Sequence, residues 1–254
     1  MQAIQIARRN FPMTSSASVG QLSKQDAGPF VASEHANDGK LHILLAATGS
    51  VATIKLPLIV RGLIQNNRDA VSVRIVITPS ARQFLMGQSE EQPLLTEIPD
   101  VDGIYNDADE WVKPWVRGDA ILHIELRRWA DVMVVVPMSA NSLAKMVNGI
   151  SDGLVLSVLR AWDTEGQIDG PIKLSNGSQK RKTVFVAAAM NTAMWRHPVT
   201  RKQMATLKEW QEDGWLKILQ PQQKYLACGD VGDGAMMDSR EIVAEILAYL
   251  EIQG

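Results

Sequence analysis

The 254-residue chain has a single cysteine, Cys228. One thiol excludes an internal disulfide and a cysteine-based metal cluster, and it suits a reducing compartment such as the cytoplasm. Excess charge is lacking too: 26 Lys and Arg stand against 28 Asp and Glu, for a net charge of −2. No basic patch interleaved with aromatics marks a nucleic-acid surface, and the one basic run, "SQKRK" at 178–182, reads as a solvated loop. No apolar stretch approaches the roughly 20 residues that cross a bilayer. Arg8 and Arg9 precede no apolar core of a secretory signal. The fingerprints G-x-G-x-x-G and G-x-x-x-x-G-K-[ST] are missing, which removes the usual dinucleotide and nucleoside-triphosphate readings. None of the four histidines stands in a His-x-x-x-His pair, so no metal site is expected.

What is present is a repeated plan. Residues 1–40 lack periodicity and read as a disordered tail. The domain then runs over 41–254. "LHILLAATGS" (41–50), "VSVRIVITPS" (71–80), "DVMVVVPMSAN" (131–141) and "TVFVAAAMN" (183–191) are continuous apolar runs, each followed by a helical pattern. "WLKILQP" (215–221) is a fifth strand, and "SREIVAEILAYLEI" (239–252) closes the chain as a helix with Ser239 as its expected N-cap. Buried strands without alternation, each leading into a helix, indicate parallel βαβ units. The expected fold is a single doubly wound α/β domain, a three-layer αβα parallel sheet of Rossmann or flavodoxin type. Two polar stretches interrupt it, 86–119 and 163–182. The first carries Trp111 and Trp115, which are unfavourable to leave in water, and reads as a functional loop; the second reads as an insertion.

The strands end in T-G-S, T-P-S, P-M-S-A-N and A-A-M-N. In an open parallel sheet these ends share one edge, where ligands bind. Hydroxyls and helix N-terminal amides gathered there suit a phosphate. For any one strand, a Ser or Thr that merely caps the next helix is the simpler account. Four such ends together point to a small-ligand site without naming the ligand.

The motifs "HILLAATGSVATIKLP", "ILHIELRRWADVMVVVPMSANSLAKMVNGISDGL", "AAAMNTAMW" and "KYLACGDVGDGAM", in that order from Leu41 to Met236, resemble the homo-oligomeric flavin-containing cysteine decarboxylases. Within them they resemble the phosphopantothenoylcysteine decarboxylase and halotolerance group. The resemblance implies FMN as cofactor. Gly49, Ser50 and Val51 would hold its phosphate, with Thr78 and Ser80 near the flavin. Ser139, Ala140, Asn141 and Ser142 match the family's S-A-N-T flavin segment, with Ser142 in place of Thr, and Ala189 would approach the flavin. Asn191, in a P-A-M-N-x-x-M-W motif where Ala188 replaces the usual proline, would bind the substrate carboxylate, with Met194 and Ala227 also lining the substrate.

The family's essential histidine falls on His123. If Asp119 caps the helix that follows, His123 sits in its first turn, where the dipole favours a neutral imidazole that can act as a base. Cys228 falls in a glycine-rich segment that, in the family, closes over substrate as a clamp, here around 222–238. The implied reaction oxidises the thiol-bearing carbon of 4′-phosphopantothenoylcysteine with FMN taking the hydride, releases carbon dioxide from the resulting thioaldehyde, and turns the enethiolate into 4′-phosphopantetheine with a proton from Cys228 and the hydride returned by reduced FMN. The family also implies a homotrimer with active sites between protomers. Some of its fungal members are inhibitory subunits of a Ser/Thr protein phosphatase, so a phosphatase partner is the rival reading, and another cysteine-containing substrate is a third. Those regulatory members tend to carry long extensions, whereas this chain ends just after its last helix and keeps His123, Asn191 and Cys228 together, which favours the enzyme.

Overall fold

The computed structural model describes residues 30–86, 101–225 and 231–252. Six parallel strands build the central sheet: β1 (Leu41–Ala47), β2 (Val71–Ile77), β3 (Val101–Tyr105), β4 (Val132–Met138) and, after a short antiparallel hairpin of β5 (Ile172–Lys173) and β6 (Gln179–Lys180), β7 (Thr183–Ala188) and β8 (Leu216–Leu219). The spatial order is β3-β2-β1-β4-β7-β8. The chain therefore winds outward in one direction from β1 and in the other from β4, which makes the gap between their carboxyl ends the topological switch point.

Strand alternation feeds two cores. Ile43, Leu45 and Ala47 of β1 face the same side as Val132, Val134 and Val136 of β4, where α1 (Leu56–Ile64), α2 (Pro79–Met86) and α8 (Ser239–Tyr249) cover them. Leu44, Ala46, Met133 and Val135 face the other side, beneath α3 (Leu122–Trp129), α4 (Ala140–Val147), α5 (Leu154–Arg160) and α7 (Pro198–Glu212). Both faces of every central strand are thus out of water, which is why their sequences run apolar without a break. The expected three-layer αβα sheet is what the chain forms.

The structure departs from the sequence expectations at four points. The stretch 86–119 contains β3, which pairs with β2 and closes the sheet's edge. Its sequence "VDGIY" is short and carries an acid, so it does not read as a strand by itself. The supposed tail is folded from Phe30 onward: the Ala32 N–H donates to buried Glu125 at 2.8 Å, and the Arg74 guanidinium lies 4.2 Å over the Phe30 ring. A buried charge that finds an aromatic face and the Tyr105 hydroxyl at 2.5 Å fixes this segment without any periodic pattern. The last helix is capped by Asp238, whose side chain accepts from the Arg240 N–H, and Ser239 is its first residue. Asp119 does not cap α3. Ile121 stands at that position, and the Asp119 carboxylate instead accepts from the Val116 N–H and pairs with Lys113.

The insertion 163–182 is pinned at its start by Asp163, whose carboxylate accepts the backbone N–H groups of Gly166, Gln167, Ile168 and Asp169 at 2.7–3.2 Å. Burial by itself would push this carboxyl up. The four N–H groups outweigh it and hold the carboxyl below the ordinary 3.8. A lowered folded-state pKa gives stability that is complete above the unfolded value and lost as pH falls through the folded one. We expect Asp163→Ala to destabilise the protein by about 1–3 kcal/mol at pH 7, with the gap from wild type shrinking below about pH 4. Denaturant midpoints measured at both pH values check this, and a gap that is constant with pH would contradict it.

Candidate active site

The site begins with the bonds that close the switch point. Thr48, fully buried after β1, donates its hydroxyl to the Pro137 carbonyl at 2.9 Å and accepts the Ser139 N–H at 2.7 Å, while its own N–H also reaches Pro137 O. These bonds lock the carboxyl ends of β1 and β4 side by side. Thr48 was not singled out in the sequence, although it is the T of T-G-S; its small size and polar group at the end of an apolar run were the available signal.

Around that lock, three of the predicted cofactor residues are helix caps. Ser50 Oγ accepts from the Ala52 N–H at the start of a 3-10 turn, Val51–Lys55, that runs into α1. Thr78 Oγ1 accepts from the Ala81 N–H at the start of α2 and lies 3.2 Å from Ser80 Oγ. Ser139 Oγ accepts from Ser142 N at the start of α4 and bonds the Ser142 hydroxyl. The hydroxyls that close these first turns thereby hold helix N-termini along one edge, an arrangement that suits an anion. Gly49 is needed for their closeness, since a Cβ there would fall 2.6 Å from the Ser80 Cβ. Val51 and Asn141 are exposed, Ala140 is half-buried, and Ala189 is buried with its N–H on Met138 O.

On the next strand, Asn191 caps α6 (Thr192–Arg196), its Oδ1 accepting from Met194 N at 2.8 Å. With the oxygen engaged, its Nδ2 donors have no protein partner among the described residues. Met194 beside it is exposed, and the Thr192 hydroxyl is buried with no partner among the described residues. The turn is buttressed by the ribbon of β9 (Gln222–Tyr225) and β10 (Val231–Ala235). Met190 N bonds Gly234 O, and Arg196 reaches Asp233 at 3.2 Å. Gly234 has φ +101°, and a Cβ there would sit 2.8 Å from Met190 O, so only glycine lets the ribbon dock this closely. Ala227 and Cys228 fall between β9 and β10, outside the described residues.

His123 is the second residue of α3, half-buried. Because α3 runs back across the sheet to begin β4, its first turn lies toward the carboxyl edge. The chain leaving β3 turns there through Asn106–Asp109 and brings Glu110 against it: the carboxylate meets His123 Nδ1 and accepts the His123 N–H at 3.4 Å. Asp107 in the same turn accepts from Leu154 N at the start of α5. Neither acid was picked out from "YNDADEW", whose polarity reads simply as loop. Trp111, Val112, Trp115 and Val116 follow, all at least half exposed.

Residues 31–251 match the Flavoprotein family. The chain belongs to that family. It is 38% identical over 226 residues to phosphopantothenoylcysteine decarboxylase of Mus musculus, covering 89% of this chain and 95% of the relative. It is 39% identical over 217 residues to a probable thymidylate synthase of Schizosaccharomyces pombe, of which it spans 30%. Among solved structures, a cysteine-to-serine mutant of PPC decarboxylase complexed with pantothenoylaminoethenethiol superimposes with a TM-score of 0.68 at 37% identity, covering 84% of this chain and 99% of that one. The FMN binding protein AtHal3 gives 0.65 at 37% identity, over 85% and 99%.

Thr48→Val keeps the shape at the switch point but leaves the Ser139 N–H unpaired. We expect a loss of about 1–3 kcal/mol in stability and a lower ratio of 450 nm to 280 nm absorbance in the purified protein. A melting temperature and flavin content equal to wild type would show that the lock is dispensable.

Proposed function

We propose that the chain is an FMN-dependent carboxy-lyase that converts 4′-phosphopantothenoylcysteine to 4′-phosphopantetheine in coenzyme A synthesis. The observation that carries this is the match to the mouse decarboxylase over 95% of that enzyme's length; the pairing of His123 with Glu110 and an Asn191 amide without a partner among the described residues support it.

The residues present fit the cofactor. Three helix N-termini with capping hydroxyls stand beside the switch point, and an orphaned Thr192 hydroxyl lies next to Asn191. Gly49, Ser50 and Val51 would hold the FMN phosphate with Thr78 and Ser80, and Ser139–Ser142 with Ala189 would line the flavin. When bound, FMN supplies the two-electron sink and source that lets the substrate's thiol-bearing carbon be oxidised before carbon dioxide leaves and reduced afterwards. The chain's own groups do the rest. Asn191 Nδ2 donates to the substrate carboxylate and, with Met194 and Ala227, sets its orientation. His123 takes a proton from the substrate through its ring nitrogen. Cys228 returns a proton to the enethiolate carbon, a task for which an ordinary thiol, mostly protonated at neutral pH, is suited. Residues 222–238 act as the clamp that carries it.

The working unit is a homotrimer with sites between protomers. The exposed apolar run from Trp111 to Val116, with Met194 and Val199, supports a packed neighbour beside the site. The single thiol is consistent with the cytoplasm, and no helix among the described residues is long and apolar enough to cross a membrane.

Mass spectrometry of 4′-phosphopantothenoylcysteine incubated with the protein is expected to show a product lighter by one carbon dioxide, while Cys228→Ser accumulates the more oxidised enethiol. A flavin-loaded protein without turnover would move the reading to a regulatory phosphatase subunit or another cysteine substrate. Mixing inactive His123→Ala chains with inactive Cys228→Ser chains should restore activity if protomers share sites. Mixed oligomers that stay inactive would refute the shared site.

A further inference from the structure

The turn after β3 is built to hold one side chain still. Asn106 and Asp109 form a reciprocal capping box around the 3-10 turn Asp107–Asp109, and Glu110 follows as its C-cap. The Glu110 side chain is 5% exposed, and among the described residues its only ion-pair partner is His123. Burying a carboxylate is unfavourable unless it is hydrogen-bonded or paired, so this contact is a built feature. The other charged groups around α3 are committed elsewhere. Glu125 binds Arg128 and the Ala32 N–H, Arg127 binds Asp169, Asp107 caps α5, and Asp109 closes its own turn.

We propose that Glu110 is a positioning residue that fixes the His123 ring and its tautomer. With Nδ1–H donated to the carboxylate, the second ring nitrogen, Nε2, keeps its lone pair and is the one that meets substrate. The backbone N–H of His123 on the same carboxylate ties ring orientation to the helix start. The inference deepens the proposed function and rests on its assignment of His123.

The test is ¹⁵N-histidine NMR of the protein together with kinetics of Glu110→Gln, which keeps size but removes the charge. Wild type should show His123 as the Nδ1-protonated tautomer, and Glu110→Gln should shift signal toward the other form. The variant's kcat should fall about 10- to 100-fold with KM within about twofold of wild type. A Nε2-protonated His123 in wild type overturns the proposal, even if the variant does not fold. So does a folded, flavin-loaded Glu110→Gln with unchanged tautomer and kcat. His123→Asn separates the two ideas: full activity there sinks the assignment of His123, while the tautomer spectrum still reports on Glu110.

Discussion

The bond pair at Thr48 carries more of this architecture than its size suggests. A parallel sheet that reverses its winding opens a crevice at the reversal, and nothing in the strand ladder itself sets how wide that crevice is. Thr48 sets it. One buried hydroxyl takes up the Ser139 N–H and the Pro137 carbonyl, so the turn after β1 and the cap of α4 are held in fixed relation. The neighbouring turns then inherit their places: Thr78 N bonds Ala47 O, and Ala189 N bonds Met138 O. Each links the end of one strand to the next across the edge.

The opposite edge is organised by different chemistry. His42 stacks on Trp129 at 4.7 Å, offers one ring nitrogen to Trp129 O and the other to Asp38, and its backbone N–H goes to Asp131. This cluster fastens the segment before β1 and the end of α3 to the amino edge. His42 is thus fully occupied as a structural residue, whereas His123, at the far end of α3, has one ring nitrogen uncommitted among the described residues. The two ends of α3 separate a fastening histidine from one with a ring nitrogen to spare.

Most of the fold was legible because its strongest signals are local: four apolar runs, each followed by a helical pattern, with a fifth strand and a closing helix, admit few arrangements besides a doubly wound sheet. β3 was not legible. It is an edge strand, one neighbour instead of two, so its sequence can afford Asp102, which turns out to bond Ser72 and Val73 across the pair. The order at 30–40 was hidden for a related reason. Its fixation comes from single contacts with Arg74, Glu125 and Trp129, residues distant in sequence. At the candidate site, the strand-end residues stood out in the sequence because they sit in motifs, whereas Glu110 did not, because its meaning depends on which side chain a loop meets in space.

A cap and a ligand contact are usually offered as competing explanations of a serine at a strand end. Here they are two consequences of one geometry. A cap hydroxyl takes up an amide of the first turn and leaves others of that turn pointing outward with the helix dipole behind them. Ser50, Thr78 and Ser139 do this at adjacent helices, and Asn191 does it with its oxygen while keeping its amide donors. The side chains that end the strands thereby shape the folded edge and, among the described residues, leave amide donors without partners, the kind of donor that suits an anion.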